Sequence, residues 1–127
     1  MATMTSQQLR DYEARMYGRI HKAEVRADAT NDESDLQDVI ISESRKRGWW
    51  VDYSRMDLPT TRPKGAPDIY IFADRKRLFI VEAKSKTGKL RPEQLGVKLA
   101  LEKLGHTVNV ISSFSQFIEL IDNSGNP

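Results

Sequence analysis

The amino-acid sequence predicts an α/β domain, a mixed sheet flanked by helices, with elements in the order helix, strand, strand, strand, helix, strand, helix. Three observations carry that expectation. The run Leu78-Phe79-Ile80-Val81 is apolar without alternation, as in a strand buried on both faces at the centre of a sheet. A stretch that opens on Pro92 and stops at Gly105 reads as a helix and is followed by a strand over 107–111, so the last strand returns by a crossover, parallel to the third. The chain has 127 residues, 39% hydrophobic and 30% charged, which suits one modest core in a globular domain.

Each element follows from local chemistry. Residues 1–31 form an N-terminal extension in which Leu9, Tyr12, Met16 and Ile20 recur at helical spacing, so a helix near 6–21 is expected, with 26–31 as a linker. The domain proper spans 32–122. Its first helix starts at Asn31-Asp32, has Glu33 and Asp35 where the helix dipole favours negative charge, and presents Leu36, Val39 and Ile40 as an apolar stripe. Arg45-Lys46-Arg47 fill its last turn and Gly48 stops it. Residues 49–55 are rich in aromatic and β-preferring types and read as a strand, and the proline-rich 56–67 as a loop. A second strand covers 68–72, a polar turn 73–76, and a third strand 78–84. Pro92 belongs to the first turn of the crossover helix, Ser113 caps a final helix carrying Phe117, Ile118 and Ile121, and 123–127 is expected to be a disordered tail.

Composition excludes several classes. No apolar run is long enough to span a bilayer, and the N-terminus lacks a signal-peptide core. There are no cysteines, hence no disulfides or thiolate metal sites, and a cytoplasmic location is expected. With His21 and His106 as the only histidines, a zinc site is not expected; a metal here would be a hard, oxygen-seeking ion such as Mg²⁺ or Mn²⁺. Net charge is only +2, but cations cluster at Arg45-Lys46-Arg47, at Arg75-Lys76-Arg77 and along Lys84, Lys86, Lys89 and Arg91.

The chemistry concentrates on Asp68, Glu82 and Lys84. Side chains alternate along a strand, so Glu82 and Lys84 share a face, and a hairpin through the 73–76 turn brings Asp68 level with them to within a register step. Two carboxylates held close repel unless one is protonated or a cation lies between them. A divalent ion relieves that repulsion and can activate water against a phosphodiester. Lys84 is placed to hold the water or stabilise charge on the phosphate, Glu33 to add a third carboxylate, and Gln94 to hydrogen-bond water or substrate. Taken singly, a Glu-x-Lys on a strand is most often an exposed ion pair and a Pro-Asp a turn. Together, directly after a buried apolar run, charged side chains are costly unless they act.

The segments Lys64-Gly65-Ala66-Pro67-Asp68-Ile69-Tyr70-Ile71, Phe79-Ile80-Val81-Glu82-Ala83-Lys84-Ser85 and Leu90-Arg91-Pro92-Glu93-Gln94 resemble the VRR-NUC family, a branch of the PD-(D/E)xK nucleases found in phages and in some repair proteins. Glu33 and Gln37 match its first-helix pair, 65–68 its G-x-PD, Glu82 and Lys84 its E-x-K, and Gln94 its helix-opening Gln, over about residues 32–120. The resemblance implies a restriction-endonuclease-like fold and Mg²⁺- or Mn²⁺-dependent cleavage of DNA. It implies Asp68, Glu82, Ala83 and Glu33 as metal ligands, with Asp32, Asp35 and Asp38 as alternatives to Glu33, and Asp68, Glu82, Lys84, Gln94 and Glu33 as catalytic. Small members resemble homodimeric enzymes that cut Holliday junctions or flaps, without a nucleotide cofactor or a membrane. Arg55, Arg62, Lys64, Lys86, Lys89 and Arg91 flank the motif and are the expected DNA contacts. Trp49 and Trp50 are candidates for stacking on bases, with one of the pair turned to the core. A DNA-binding or assembly module without cleavage, and a restriction-type duplex endonuclease, are the competing functions.

Overall fold

The computed structural model describes residues 5–12, 15, 33–54 and 59–124. Helix α1 (Glu33–Lys46) leads into strands β1 (Trp50–Tyr53), β2 (Ile69–Phe72) and β3 (Leu78–Ala83), followed by α2 (Pro92–Lys103), β4 (Val108–Ile111) and α3 (Phe114–Asn123). The sheet order is β1-β2-β3-β4. The first two pairings are antiparallel and β3–β4 is parallel. This is the expected mixed α/β architecture and element order. Residues 6–12 and 15 are helical; the remainder of the expected 6–21 helix, the linker at 26–31 and the cap at Asn31-Asp32 lie outside the described residues.

The core forms where the α1 stripe meets one face of the sheet. Leu36, Val39, Ile40 and Ile41 pack with Ile69, Ile71, Phe79, Val81 and Ala83, and α3 closes the cluster with Phe117 and Ile121. Every residue of β3 after Leu78 is buried, which matches its central place between β2 and β4. Ser113 caps α3 by accepting from the Gln116 N–H at 3.2 Å. That helix continues to Asn123, and Ser124 follows as its cap, so ordered structure reaches into the stretch expected to fray. By contrast α2 is poorly covered. Only Gln94 is buried along it, while Leu95, Leu99 and Leu104 are exposed.

The β2–β3 hairpin holds a feature that composition did not disclose. Arg75 and Lys76 both have positive φ, 55° and 61°, and the Arg77 N–H donates to the Asp74 carbonyl at 3.1 Å. These are the dihedral signs of a type I′ turn, which favours Asn-Gly, and two long cationic residues adopt it here at some conformational cost. Arg77 secures the end of this hairpin. Its guanidinium donates to the Ile121 carbonyl at 2.9 Å and to Asp74 Oδ1 at 2.5 Å, and lies 5.4 Å over the Trp49 ring. Arg47 stacks on the same ring and bonds Glu43. Arg47 and Arg77, from two of the three cation clusters, therefore supply structural pairs at the turn end of the sheet, while Arg45 lies 5.5 Å over the Tyr53 ring. Trp49 packs on Phe79, and Trp50 is exposed.

Candidate active site

Sheet register places the first two candidates. Ile69 pairs with Val81, so Asp68, one residue before β2, stands opposite Glu82. Opposite residues of an antiparallel pair point to the same face, and alternation adds Lys84 to that face. Glu82, Lys84 and Gln94 are 3%, 7% and 6% exposed, so these polar groups sit in a low-dielectric pocket at the sheet end. The Lys84 N–H donates to the Ile111 carbonyl at 2.9 Å, extending the parallel ladder one residue beyond β3 and anchoring the Lys84 backbone.

Hydrogen bonds link the pair to both flanking helices. Gln94 Nε2 donates to Glu82 Oε1 at 2.8 Å, and Gln94 Oε1 accepts from the Arg91 N–H at 2.9 Å. The first turn of α2 thus orients one carboxylate, whereas the sequence pattern had assigned Gln94 to water or substrate. Asp68 Oδ2 accepts from the Ala83 N–H at 3.1 Å, and the Gln37 side chain, buried on α1, also donates to Asp68. Gln37 matches half of the first-helix motif, and its spacing alone does not say which carboxylate it meets. Glu33 accepts from the Ser85 N–H at 3.2 Å, just past Lys84. Among the described residues no three acidic or histidine side chains converge on one point, so Glu33 borders the Asp68–Glu82 pair without closing a three-carboxylate cluster.

The two carboxyls compete for one proton. Burial pushes Glu82 up to about 8, and the neighbouring Asp68 charge adds to the rise while Lys84 and Arg91 oppose it. Asp68 is also raised by burial, against the pull of the Ala83 N–H, Glu82, Gln37 and Lys84. Without a cation, protonated Glu82 donates to ionised Asp68. A carboxyl raised from 4.5 to about 8 stabilises the fold fully below the lower value, and that contribution is lost as pH climbs through the upper one. Melting of the metal-free protein in EDTA is therefore expected to drop by on the order of 5 °C between about pH 5 and pH 8, the response to about 1 kcal/mol, because the proton is shared with Asp68 and the full shift does not belong to Glu82 alone. Glu82→Gln, which cannot ionise, flattens that dependence; an unchanged slope in this variant would place the titration elsewhere.

The donor set suits a hard cation. Asp68 and Glu82 offer carboxylate oxygens, and N–H and C=O of one residue point to the same side of an extended strand, so the Ala83 carbonyl opens on the edge where Asp68 lies. The expected DNA contacts divide. Lys64, Lys86, Lys89 and Arg91 are exposed beside the site, with Lys64 3.4 Å from Glu93. Arg62 instead turns inward: its guanidinium bonds Asp52 Oδ1 at 2.6 Å and the carbonyls of Pro67 and Asp68 at 3.3 and 3.4 Å. Arg55 lies outside the described residues. Gly65 is a further contributor. With φ +87°, a Cβ there would fall 2.3 Å from the Glu93 carbonyl oxygen, so the loop before Asp68 lies directly on the first turn of α2.

No family model and no curated protein matches the sequence. A solved structure described as "VRR_NUC domain" superposes with a TM-score of 0.61 at 28% identity, covering 72% of this chain and 96% of that one. That overlap takes in nearly the whole of the compared domain. Agreement in fold at that identity joins the motif residues gathered around Asp68 and Glu82, and together they support the VRR-NUC nuclease domains as the family this chain resembles.

Proposed function

We propose that the protein is a metal-dependent DNA endonuclease that hydrolyses phosphodiester bonds, selective for branched DNA such as Holliday junctions or flaps, and serving replication, recombination or repair. The observation that carries this reading is the pairing of half-buried Asp68 with buried Glu82, with buried Lys84 on the same face. Asp68, Glu82 and the Ala83 carbonyl would hold Mg²⁺ or Mn²⁺, with Glu33 beside them at the Ser85 amide. Such an ion lowers the pKa of water and offsets charge on a phosphate oxygen.

The chain's own residues do the rest. Gln94 fixes the Glu82 carboxylate, Gln37 and the Ala83 N–H fix Asp68, and Lys84 presents an ammonium where charge grows on the scissile phosphate. Lys64, Lys86, Lys89 and Arg91 provide the cationic rim for the DNA backbone. Leu95 and Leu99, one turn apart on α2 and 45% and 56% exposed, supply an apolar stripe for a homodimer that would present paired active sites. Among the described residues no helix is long and apolar enough to cross a membrane.

A panel of labelled duplex, flap and four-way junction DNA, incubated with Mg²⁺, Mn²⁺ or EDTA beside a measurement of solution mass, tests this reading. Metal-dependent cuts at branch points, lost in EDTA and in Glu82→Ala protein, are expected. Fixed cuts on plain duplex would identify a restriction-type enzyme. Binding without cleavage under every condition would identify a DNA-binding module.

A further inference from the structure

Asp68 stands just outside the β-ladder that orders its neighbours, since β2 begins at Ile69. A residue at a strand's edge keeps its backbone direction only if something else holds it. Arg62, six residues earlier in the connecting loop, is a side chain that holds it. Its Nη1 reaches the carbonyls of both Pro67 and Asp68, the two peptide units on either side of the Asp68 Cα. Nη2 is fixed by Asp52 Oδ1 on β1 at 2.6 Å, and the guanidinium plane lies 5.5 Å over the ring of Tyr70, the residue that pairs with Asp52 across β1 and β2. The Arg62 N–H is held in turn by Thr60 Oγ1 at 3.0 Å. Ser54 adds one backbone bond to the Asp68 carbonyl at 3.2 Å.

We infer that Arg62 is a positioning residue: its fork sets the two peptide planes around Asp68 and thereby aims the Asp68 carboxylate at Glu82 and the Ala83 edge. The inference rests on the nuclease reading and assigns Arg62 to the protein's own frame instead of to a DNA phosphate. Charge and geometry agree on this. The Asp52 carboxylate neutralises the guanidinium, and the side chain is only 21% exposed. A rigid, planar donor fork spans two carbonyls and one carboxylate at once, and a lysine ammonium on a flexible stem does not reproduce that set.

Arg62→Lys and Asp52→Asn, from opposite ends of the brace, test it. In Arg62→Lys, kcat for DNA cleavage is expected to fall about 10- to 100-fold with KM nearly unchanged, the usual consequence of losing a group that orients a metal ligand. The affinity of DNA-free protein for Mn²⁺, measured by calorimetry, falls in the same range. The slope of log DNA affinity against log salt, taken in EDTA, stays at its wild-type value, because no phosphate contact is lost. Asp52→Asn moves kcat and Mn²⁺ affinity the same way, and the double variant is no worse than the poorer single one, as for two residues acting as one unit.

A salt slope reduced by about one in Arg62→Lys, with Mn²⁺ affinity and kcat intact, would make Arg62 a phosphate contact and overturn the brace. If Arg62→Lys does not fold, Asp52→Asn decides alone: wild-type kcat and Mn²⁺ affinity in that variant also overturn it. Absence of both Mn²⁺ binding and cleavage in the wild-type protein instead counts against the nuclease reading, so the two failures are distinguishable.

Discussion

Replacement of Lys84 by Met is expected to lower the single-turnover rate of DNA cleavage by about 10²- to 10³-fold, the usual loss on removing one preorganised charge-stabilising donor. Met keeps most of the stem's volume, so the 7%-exposed site stays filled, and the backbone bond to Ile111 is untouched. The consequence extends to the carboxyls. Lys84 pulls both Asp68 and Glu82 downward, so without it the Glu82 proton is held more tightly. Metal binding has to displace that proton, and the rate profile of Lys84→Met is expected to shift to higher pH as well as to lower rate. Rate against pH, alongside thermal melts, checks both parts. A Lys84 that served only as an ion-pair partner would change the melting temperature and leave the rate alone.

Substitution of Gly65 by Ala is expected to be the most damaging change outside the Asp68, Glu82 and Lys84 trio. The new methyl would meet the Glu93 carbonyl oxygen at 2.3 Å and its carbon at 2.6 Å, and both are backbone atoms that no rotamer change can move. Left-handed φ adds about 1–2 kcal/mol of its own for a residue with a Cβ. Either the loop or the start of α2 has to shift, and these segments carry Asp68 and Gln94, which converge on Glu82. A displacement near 1 Å costs about 10²-fold in rate. Gly105 supplies the control. It too has positive φ, +93°, yet nothing lies within 4 Å of its would-be Cβ, so Gly105→Ala should lose stability without losing activity. Equal melting losses with full activity in both variants would show that the close approach at Gly65 does not matter to the site.

Much of the fold was legible in the sequence because its signals are local. The unbroken apolar run before Glu82 marks a central strand, Pro92 and Gly105 bracket a crossover helix, and Ser113 caps the last helix, each through backbone chemistry within a few residues. Other features were not legible. Nothing about Arg75-Lys76 foretells paired positive φ values, since that conformation is imposed by closing the hairpin between two ladders that already pair. Arg62, a cation beside a metal motif, looks like a phosphate contact until Asp52 on one strand and Pro67-Asp68 at the start of the next are brought to it. Similarly, the cation clusters around Arg47 and Arg77 turn out to pack on Trp49 and cap α3, contacts that charge patterning cannot resolve.

By itself the sequence determined the α/β element order, the parallel return of the last strand, and the identity of Asp68, Glu82 and Lys84 as neighbours across a hairpin. Periodicity and turn chemistry act over short stretches of chain, and the strand repeat of two places Glu82 and Lys84 together without any tertiary information. Only the tertiary structure decided which groups orient that trio: Gln94 on Glu82, Gln37 and the Ala83 N–H on Asp68, Glu33 at Ser85, and Arg62 and Gly65 behind the loop. These contacts join residues far apart in sequence. Their geometry depends on how the sheet registers and on where two helices begin against it, and no local propensity encodes that.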